Sequence, residues 1–185
     1  PFGSRNPAEC GELAAAAIGQ RIDRFGADRV AAVIVEPNAG SNGIVAPDNF
    51  WPELRRVTRE RDVLLIADEV MSAFGRCGEW FAFQKWGVRP DLVCFAKGSN
   101  SGDIPVGGVV IGQHVADTFN ERVYPGGLTY SGHPLACASI VASINIFKEE
   151  GIVEHSRMLG TDVIGPELEK LKAKHPSIGD VRGMG

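Results

Sequence analysis

Two short apolar runs, each ending in an ionisable residue, constrain this chain more than anything else in it. The first is Val63-Leu64-Leu65-Ile66-Ala67-Asp68-Glu69-Val70 and the second is Asp91-Leu92-Val93-Cys94-Phe95-Ala96-Lys97-Gly98. Runs of this length, rich in Val, Ile and Leu, read as strands buried on both faces. Such strands belong to parallel sheets, which carry ligands at the carboxyl ends of their strands. Asp68 and Lys97 are therefore expected at the same edge of one sheet. A carboxylate and an amine so placed can act jointly, the acid holding a cationic heterocycle and the amine attacking a carbonyl. A third run, Val30 to Val35, ends in Glu36-Pro37 and brings another acid to that edge.

The flanking segments alternate with these strands. Asn6-Pro7-Ala8-Glu9 supplies a helix cap, a proline at the first helical position and an acid at the third. The helix it opens carries Leu13, Ala14, Ala17, Ile18, Ile22 and Phe25 as an apolar stripe and stops at Gly26. A second helix is expected from near Asn49 to about Arg61, with Phe50, Leu54 and Val57 inward. Glu79 to Trp86 reads as a short helix laying Trp80, Phe83 and Trp86 on the sheet. Gly98 to Gly108 reads as a loop, Val106 to Ile111 as a strand and Gln113 to Glu121 as a helix. A helix from Pro134 to Gly151 buries Ile140, Val141, Ile144 and Phe147. Another, from Ile152 to about Lys174, is interrupted near Gly165-Pro166 and turns Glu167, Glu169, Lys170, Lys172 and Lys174 to solvent. Alternating strands and helices predict an α/β domain of three layers around a mainly parallel sheet.

Composition closes off other classes. The 185 residues suit one domain with an appendage, and a net charge of -4 gives no electrostatic case for nucleic acid or an anionic membrane. No apolar run reaches the length of a membrane span, and there is no signal peptide. Cys10, Cys77, Cys94 and Cys137 are scattered without a CxxC pair, which fits a reducing compartment, the cytoplasm. His114, His133, His155 and His175 share no metal-ligand spacing, so no metal site is expected. The chain opens on Pro1 rather than Met and closes on Arg182-Gly183-Met184-Gly185, and we read it as a piece of a longer one.

Taken singly, the strand-end residues have bland readings. A lysine after a strand points to water, and an acid there caps the next turn. Leu64 to Glu69 also looks like the Walker B strand of a nucleotide hydrolase. That reading needs a Walker A loop, and the chain has none: in Lys97-Gly98-Ser99-Asn100-Ser101-Gly102 the lysine stands at the wrong end.

The combination is more specific. Asp68-Glu69-Val70-Met71-Ser72, Phe74-Gly75-Arg76, Pro90-Asp91-Leu92 and Phe95-Ala96-Lys97-Gly98 together resemble the signature of the class III, or omega-type, aminotransferases. Glu36-Pro37 with its Gly loop and Pro47 resembles the upstream element of that family, and Thr129-Tyr130-Ser131-Gly132-His133-Pro134 the downstream one. The likeness runs in order over nearly the whole chain. The loop after Lys97, ending in Ile104-Pro105, and the Gly127-Leu128-Thr129-Tyr130 run look most like members that use pyruvate as amino acceptor.

The resemblance implies fold type I, pyridoxal 5'-phosphate as cofactor, and transfer of an amino group from an amine or omega-amino acid to a keto acid. It implies Lys97 as the lysine that joins the cofactor, Asp68 against its pyridine nitrogen and Val70 on its ring face. It places Met71 where many relatives carry a glutamine near the phenolic oxygen, a hydrogen bond that a thioether cannot donate. It implies Thr129 on the phosphate, contributed across the two-fold axis of a homodimer, and Glu36 as a residue that gates between two substrates. Ala73, Cys77 and Asp103 depart from the family's usual Gly, Thr and aromatic residue. Residues 1–150 would then be the C-terminal half of the cofactor-binding large domain, and 151–185 a helix leading toward a small domain. The same scaffold also serves aminomutases, decarboxylases and racemases, and a non-catalytic fragment would look alike.

Overall fold

The computed structural model describes residues 3–185. Its centre is a four-stranded sheet formed by β1 (Ala32–Val35), β4 (Leu64–Asp68), β5 (Leu92–Phe95) and β6 (Gly108–Ile111), in that order. β1, β4 and β5 are parallel and β6 runs antiparallel on the edge, so the sheet is mainly parallel, as expected. β2 (Asn38–Ala39) and β3 (Ile44–Val45) form a small separate hairpin inside the Gly loop after Glu36.

Helix α1 (Pro7–Phe25) begins as the sequence predicts. The Asn6 side chain accepts the Glu9 amide, Pro7 stands in the first turn, and Gly26, at φ 89°, ends it. The buried face differs from the predicted stripe: Gly11, Ala15, Gly19 and Ile22 are buried, whereas Leu13 and Phe25 are exposed. The reason is close helix packing. A Cβ on Gly11 would run into Asn49, and one on Gly19 would lie 3.1 Å from Val57 of α2 (Phe50–Arg59). Small residues form this seam, and hydrophobicity alone does not reveal them.

The core lies under the sheet, where Ala15, Trp51, Leu54, Val57, Leu65, Ala67, Val88 and Val93 cluster. Trp51 stacks on Trp86 with centroids 6.0 Å apart, tying α2 to the 3-10 segment Ala82–Trp86. Only one face of β4 is fully buried; Leu65 and Ala67 are inside, while Leu64, Ile66 and Asp68 are half-covered. In β1, Ile34 is exposed. The expectation of strands buried on both faces is corrected accordingly: the second face has lighter cover. The short helix expected from Glu79 contracts to Ala82–Trp86, and Trp80, ahead of it, packs on Phe147.

The helices after the sheet are α3 (Gln113–Ala116), continued by a 3-10 turn, then α4 (Pro134–Glu149), α5 (Ile152–Met158) and α6 (Gly165–Lys174). In α4 only Ala136 is fully buried, and Val141, predicted inward, is exposed. A π-helical turn, Leu159–Ile164, joins α5 to α6 where the sequence predicts an interruption. Pro166 accounts for it: proline has no N–H for the ladder and its ring crowds the carbonyl a turn earlier. The wider turn accommodates this, with the Gly165 amide reaching back to the Gly160 carbonyl.

Candidate active site

The parallel register assembles the site. Asp68 pairs with Cys94 across β4 and β5, and Lys97 follows Cys94 by three residues. Val35 pairs with Ala67, so Glu36 and Asp68 leave the sheet side by side. All three ionisable residues thus stand at the carboxyl edge, where a parallel sheet binds ligands.

Lys97 opens a 3-10 turn, Lys97–Ser99, with φ 42°. A lysine in the left-handed region is uncommon and persists only where its surroundings hold it. Those surroundings are buried. Ser99 is fully enclosed, and Asn100 donates to the Ile104 carbonyl at 2.7 Å and to Ser139 of α4 at 3.0 Å. The backbone of the Lys97 turn is pinned while its side chain is exposed. Lys97 makes no ion pair among the described residues; its Nζ donates to Met71 Sδ at 2.6 Å.

Asp68 is half-buried, and its Oδ1 accepts the Val70 amide at 3.1 Å. Val70 is half-buried and Met71 exposed, so a short apolar ledge separates the acid from the amine. Glu36 is exposed and accepts the Gly40 amide at 3.3 Å, closing the loop that carries the β2–β3 hairpin. A Cβ on Gly40 would lie 3.0 Å from Met71, so this loop borders the same ledge. Met71, Phe74, Lys97, Gly98, Phe147 and Ile152 line a cleft of about 540 Å³. A larger hollow of about 620 Å³, beside Arg157 and residues 181–185, includes none of the strand-end residues.

Thr129 stands apart. It lies in an exposed turn, with the Ser131 amide donating to the Leu128 carbonyl, and does not line the cleft. Its loop shows large apolar side chains to solvent: Val123, Tyr124, Leu128 and Tyr130 are all more than half exposed.

Sequence patterning does not single out Glu69, yet this acid is completely buried. Its carboxylate accepts from Ser72 Oγ at 2.5 Å, from the Ala82 amide at 3.0 Å and from the Phe83 amide at 2.9 Å. Burial pushes its carboxyl up, those donors oppose the rise, and the charge of neighbouring Asp68 adds to it. At the other end of the strand pair, Asp91, in sequence a lead-in to β5, is buried and held by Arg55. The signal for both is an acid beside a strand with no obvious route to solvent.

The donor set fits pyridoxal phosphate: an amine with no carboxylate partner among the described residues for its aldehyde carbon, a carboxylate with one oxygen engaged for its ring nitrogen, and an apolar ledge between them for the ring. The comparisons with known proteins agree with that geometry. The family described as Aminotransferase class-III matches residues 5–185. Putrescine--pyruvate aminotransferase of Pseudomonas aeruginosa is 42% identical over 99% of this chain and 40% of its own length. A thermostable (S)-enantioselective omega-transaminase from Thermomicrobium roseum superposes with TM-score 0.89 at 39% identity, covering 100% of this chain and 42% of its own. Taurine:2-oxoglutarate aminotransferase of Bifidobacterium kashiwanohense, solved with PLP and glutamate, gives TM-score 0.92 at 36% identity, over 98% of this chain and 41% of its own. The chain therefore spans about 40% of the curated relative's length. With an acid and an amine at adjacent ends of a mainly parallel sheet and the family match running from residue 5 to residue 185, this chain belongs to the class-III aminotransferases.

Proposed function

We propose that this chain forms part of the cofactor-binding domain of a pyridoxal 5'-phosphate-dependent aminotransferase that moves an amino group from an amine or omega-amino acid to a keto acid, pyruvate first among them. The observation that carries the reading is the placement of Asp68 and Lys97 at the carboxyl ends of adjacent parallel strands, with Lys97 free of any carboxylate among the described residues. The pyruvate assignment is supported by the Pseudomonas aeruginosa relative.

When bound, pyridoxal phosphate supplies an aldehyde for the amino group and a protonated ring that accepts the electrons released when the donor carbon loses its proton. The remaining work falls to the chain. Lys97 would hold the cofactor through Nζ, the amine that such an aldehyde takes. The same Nζ would be the group to take the proton that the donor carbon gives up, a general-base role. Asp68 holds the proton on the pyridine nitrogen. Val70 would pack on the ring face. Glu36, on the exposed loop bordering Met71, meets the substrate. Thr129 would bind phosphate through its hydroxyl in the site of a second copy of the chain, a reading that its exposed apolar loop supports.

We read residues 1–150 as belonging to the cofactor domain and 151–185 as the passage toward a small domain, a reading supported by α6, which has no buried residue. No helix among the described residues is long and apolar enough to cross a membrane. The four cysteines are free, which supports a reducing compartment, the cytoplasm.

The test is amino transfer by the full-length protein: pyridoxal phosphate, putrescine and pyruvate are expected to yield alanine with equimolar loss of the diamine. Product formation from the diamine without any amino acceptor, or carbon dioxide released when an amino acid is offered in its place, would put the chemistry elsewhere on this scaffold.

A further inference from the structure

Residues 69–83 leave the sheet, turn and come back. The Phe74 amide bonds the Trp80 carbonyl at 2.7 Å, the Gly75 amide bonds Glu79 at 3.0 Å, and the Gly78 amide bonds Gly75 at 3.0 Å. These bonds close the tip of the loop. Its base is closed differently, by the Glu69 carboxylate. One oxygen takes both the Ser72 hydroxyl and the Ala82 amide, and the other takes the Phe83 amide. Glu69 is also fixed through its backbone. Its amide donates to the Cys94 carbonyl of β5 at 2.9 Å, and its carbonyl accepts from Ala73 at 3.1 Å.

The outgoing limb of this loop carries Val70 and Met71. The Val70 amide is the one that orients Asp68 Oδ1, and Met71 Sδ is the partner of Lys97 Nζ. Further along, Phe74 sits against the Lys97 turn, so that a Cβ on Gly98 would lie 3.2 Å from it. Phe74 itself is held at φ 54°, in the left-handed region. The acid, the apolar ledge and the lysine turn are therefore all in contact with one loop whose two ends meet on a single carboxylate.

We propose that Glu69 is a positioning residue for the cofactor site. It fixes the limb that carries Val70 and Met71 and, through the Val70 amide, the orientation of Asp68. The inference rests on the proposed role of Asp68 and Lys97 in holding pyridoxal phosphate. An isosteric amide cannot take over. Three donors converge on two oxygens, and Glu69→Gln would turn one of those oxygens into a donor. Whichever way the amide faced, it would confront the Ala82 or the Phe83 N–H. The ends of the loop would then part.

The experiment is titration of the full-length protein, freed of cofactor, with pyridoxal phosphate, followed by absorbance. Melting temperature is measured beside it. Glu69→Gln is expected to weaken the cofactor by about 10- to 100-fold, the scale on which supporting residues act on a bound group. It is also expected to displace the pH midpoint of the bound cofactor's visible band, because Asp68 no longer faces the ring in the same way. Ser72→Ala removes one donor and leaves both amides, and is expected to give a smaller loss in the same direction. A lower melting temperature with affinity and midpoint unchanged would make Glu69 a structural residue only and would overturn the proposal. If Glu69→Gln does not fold, Ser72→Ala decides, and an unchanged affinity there overturns it as well. Failure of the unsubstituted protein to bind pyridoxal phosphate would be a different result, removing the cofactor reading and this inference with it.

Discussion

Replacing Asp91 by Asn should destabilise the protein severely while leaving the chemical groups of the site in place. Asp91 heads β5, and its backbone and side chain both grip β4. The Asp91 amide donates to the Leu65 carbonyl at 2.8 Å and Oδ2 accepts the Leu65 amide at 2.7 Å. Arg55 of α2 binds the carboxylate with both terminal nitrogens, at 2.6 and 2.9 Å, and His114 lies 3.1 Å from Oδ1. The pair is buried, with 14% of the Arg55 side chain and 6% of the Asp91 side chain exposed. In Asp91→Asn the new amide would face one Arg55 nitrogen in either orientation, donor against donor. The guanidinium would stay buried without a counter-charge. Breaking such a pair from one side costs about 3–5 kcal/mol, to be read from urea unfolding at neutral pH. Arg55→Met combined with Asp91→Asn should recover part of that loss, because no buried cation remains and the Asn oxygen can still accept from Leu65. The pH dependence follows from the same carboxyl. Burial pushes it up, but Arg55, the Leu65 amide and the charge of His114 outweigh burial and leave it below its ordinary value of 3.8. A depressed carboxyl stabilises in full above the unfolded value and loses that contribution as the pH falls through the folded one. The wild-type advantage over Asp91→Asn should therefore hold from neutrality to about pH 4, shrink as the pH falls further and be gone only below the depressed folded value. A loss under about 1 kcal/mol would mean that the pair is worth no more than an exposed one, and the reasoning would fail.

Three further outcomes are expected. Gly11→Val drives a branched side chain into Asn49 and the bond from Asn49 to the Ala8 carbonyl, 2.8 Å long, and should cost about 1–3 kcal/mol in thermal or urea unfolding, whereas Leu13→Ala on the exposed side of α1 should cost little. Asp68→Asn keeps the shape of the site but removes its charge, and in single-turnover measurements with amino donor the rate should drop by about 10²–10³; a near-normal rate would reduce Asp68 to a turn residue. If Thr129 acts in a neighbouring copy's site, mixing Lys97→Ala and Thr129→Ala subunits should restore about half the wild-type activity per heterodimer, because one site then carries both defects and the other neither; uniformly low activity would keep Thr129 within its own chain.

What the sequence discloses and what it hides divide along physical lines. The strand ends at Glu36, Asp68 and Lys97 are legible because apolar runs closed by single ionisable residues are the mark of buried parallel strands, and the observed register aligns them. The cap at Asn6 and the break near Pro166 are legible because they depend on local backbone chemistry. The seam of α1 is not. Gly11 and Gly19 contribute closeness rather than hydrophobicity, and closeness appears only once α2 is packed against them. Nor is the two-residue hairpin strand at Asn38–Ala39, too short to carry any pattern. Glu69 escapes for a third reason: its donors come from Ser72, Ala82 and Phe83, so its burial depends on how the loop returns. Met71 reads in sequence as a lost donor near the ring, and the structure adds its contact with Lys97.

The functional assignment stands or falls on the amine of Lys97. Borohydride reduction of the full-length protein loaded with pyridoxal phosphate, followed by peptide mapping, tests it most directly. The expected result is that the visible band is lost and that the cofactor is fixed irreversibly to the single peptide containing Lys97. Cofactor recovered instead on Lys85 or Lys148, or released intact from the reduced protein, would contradict it.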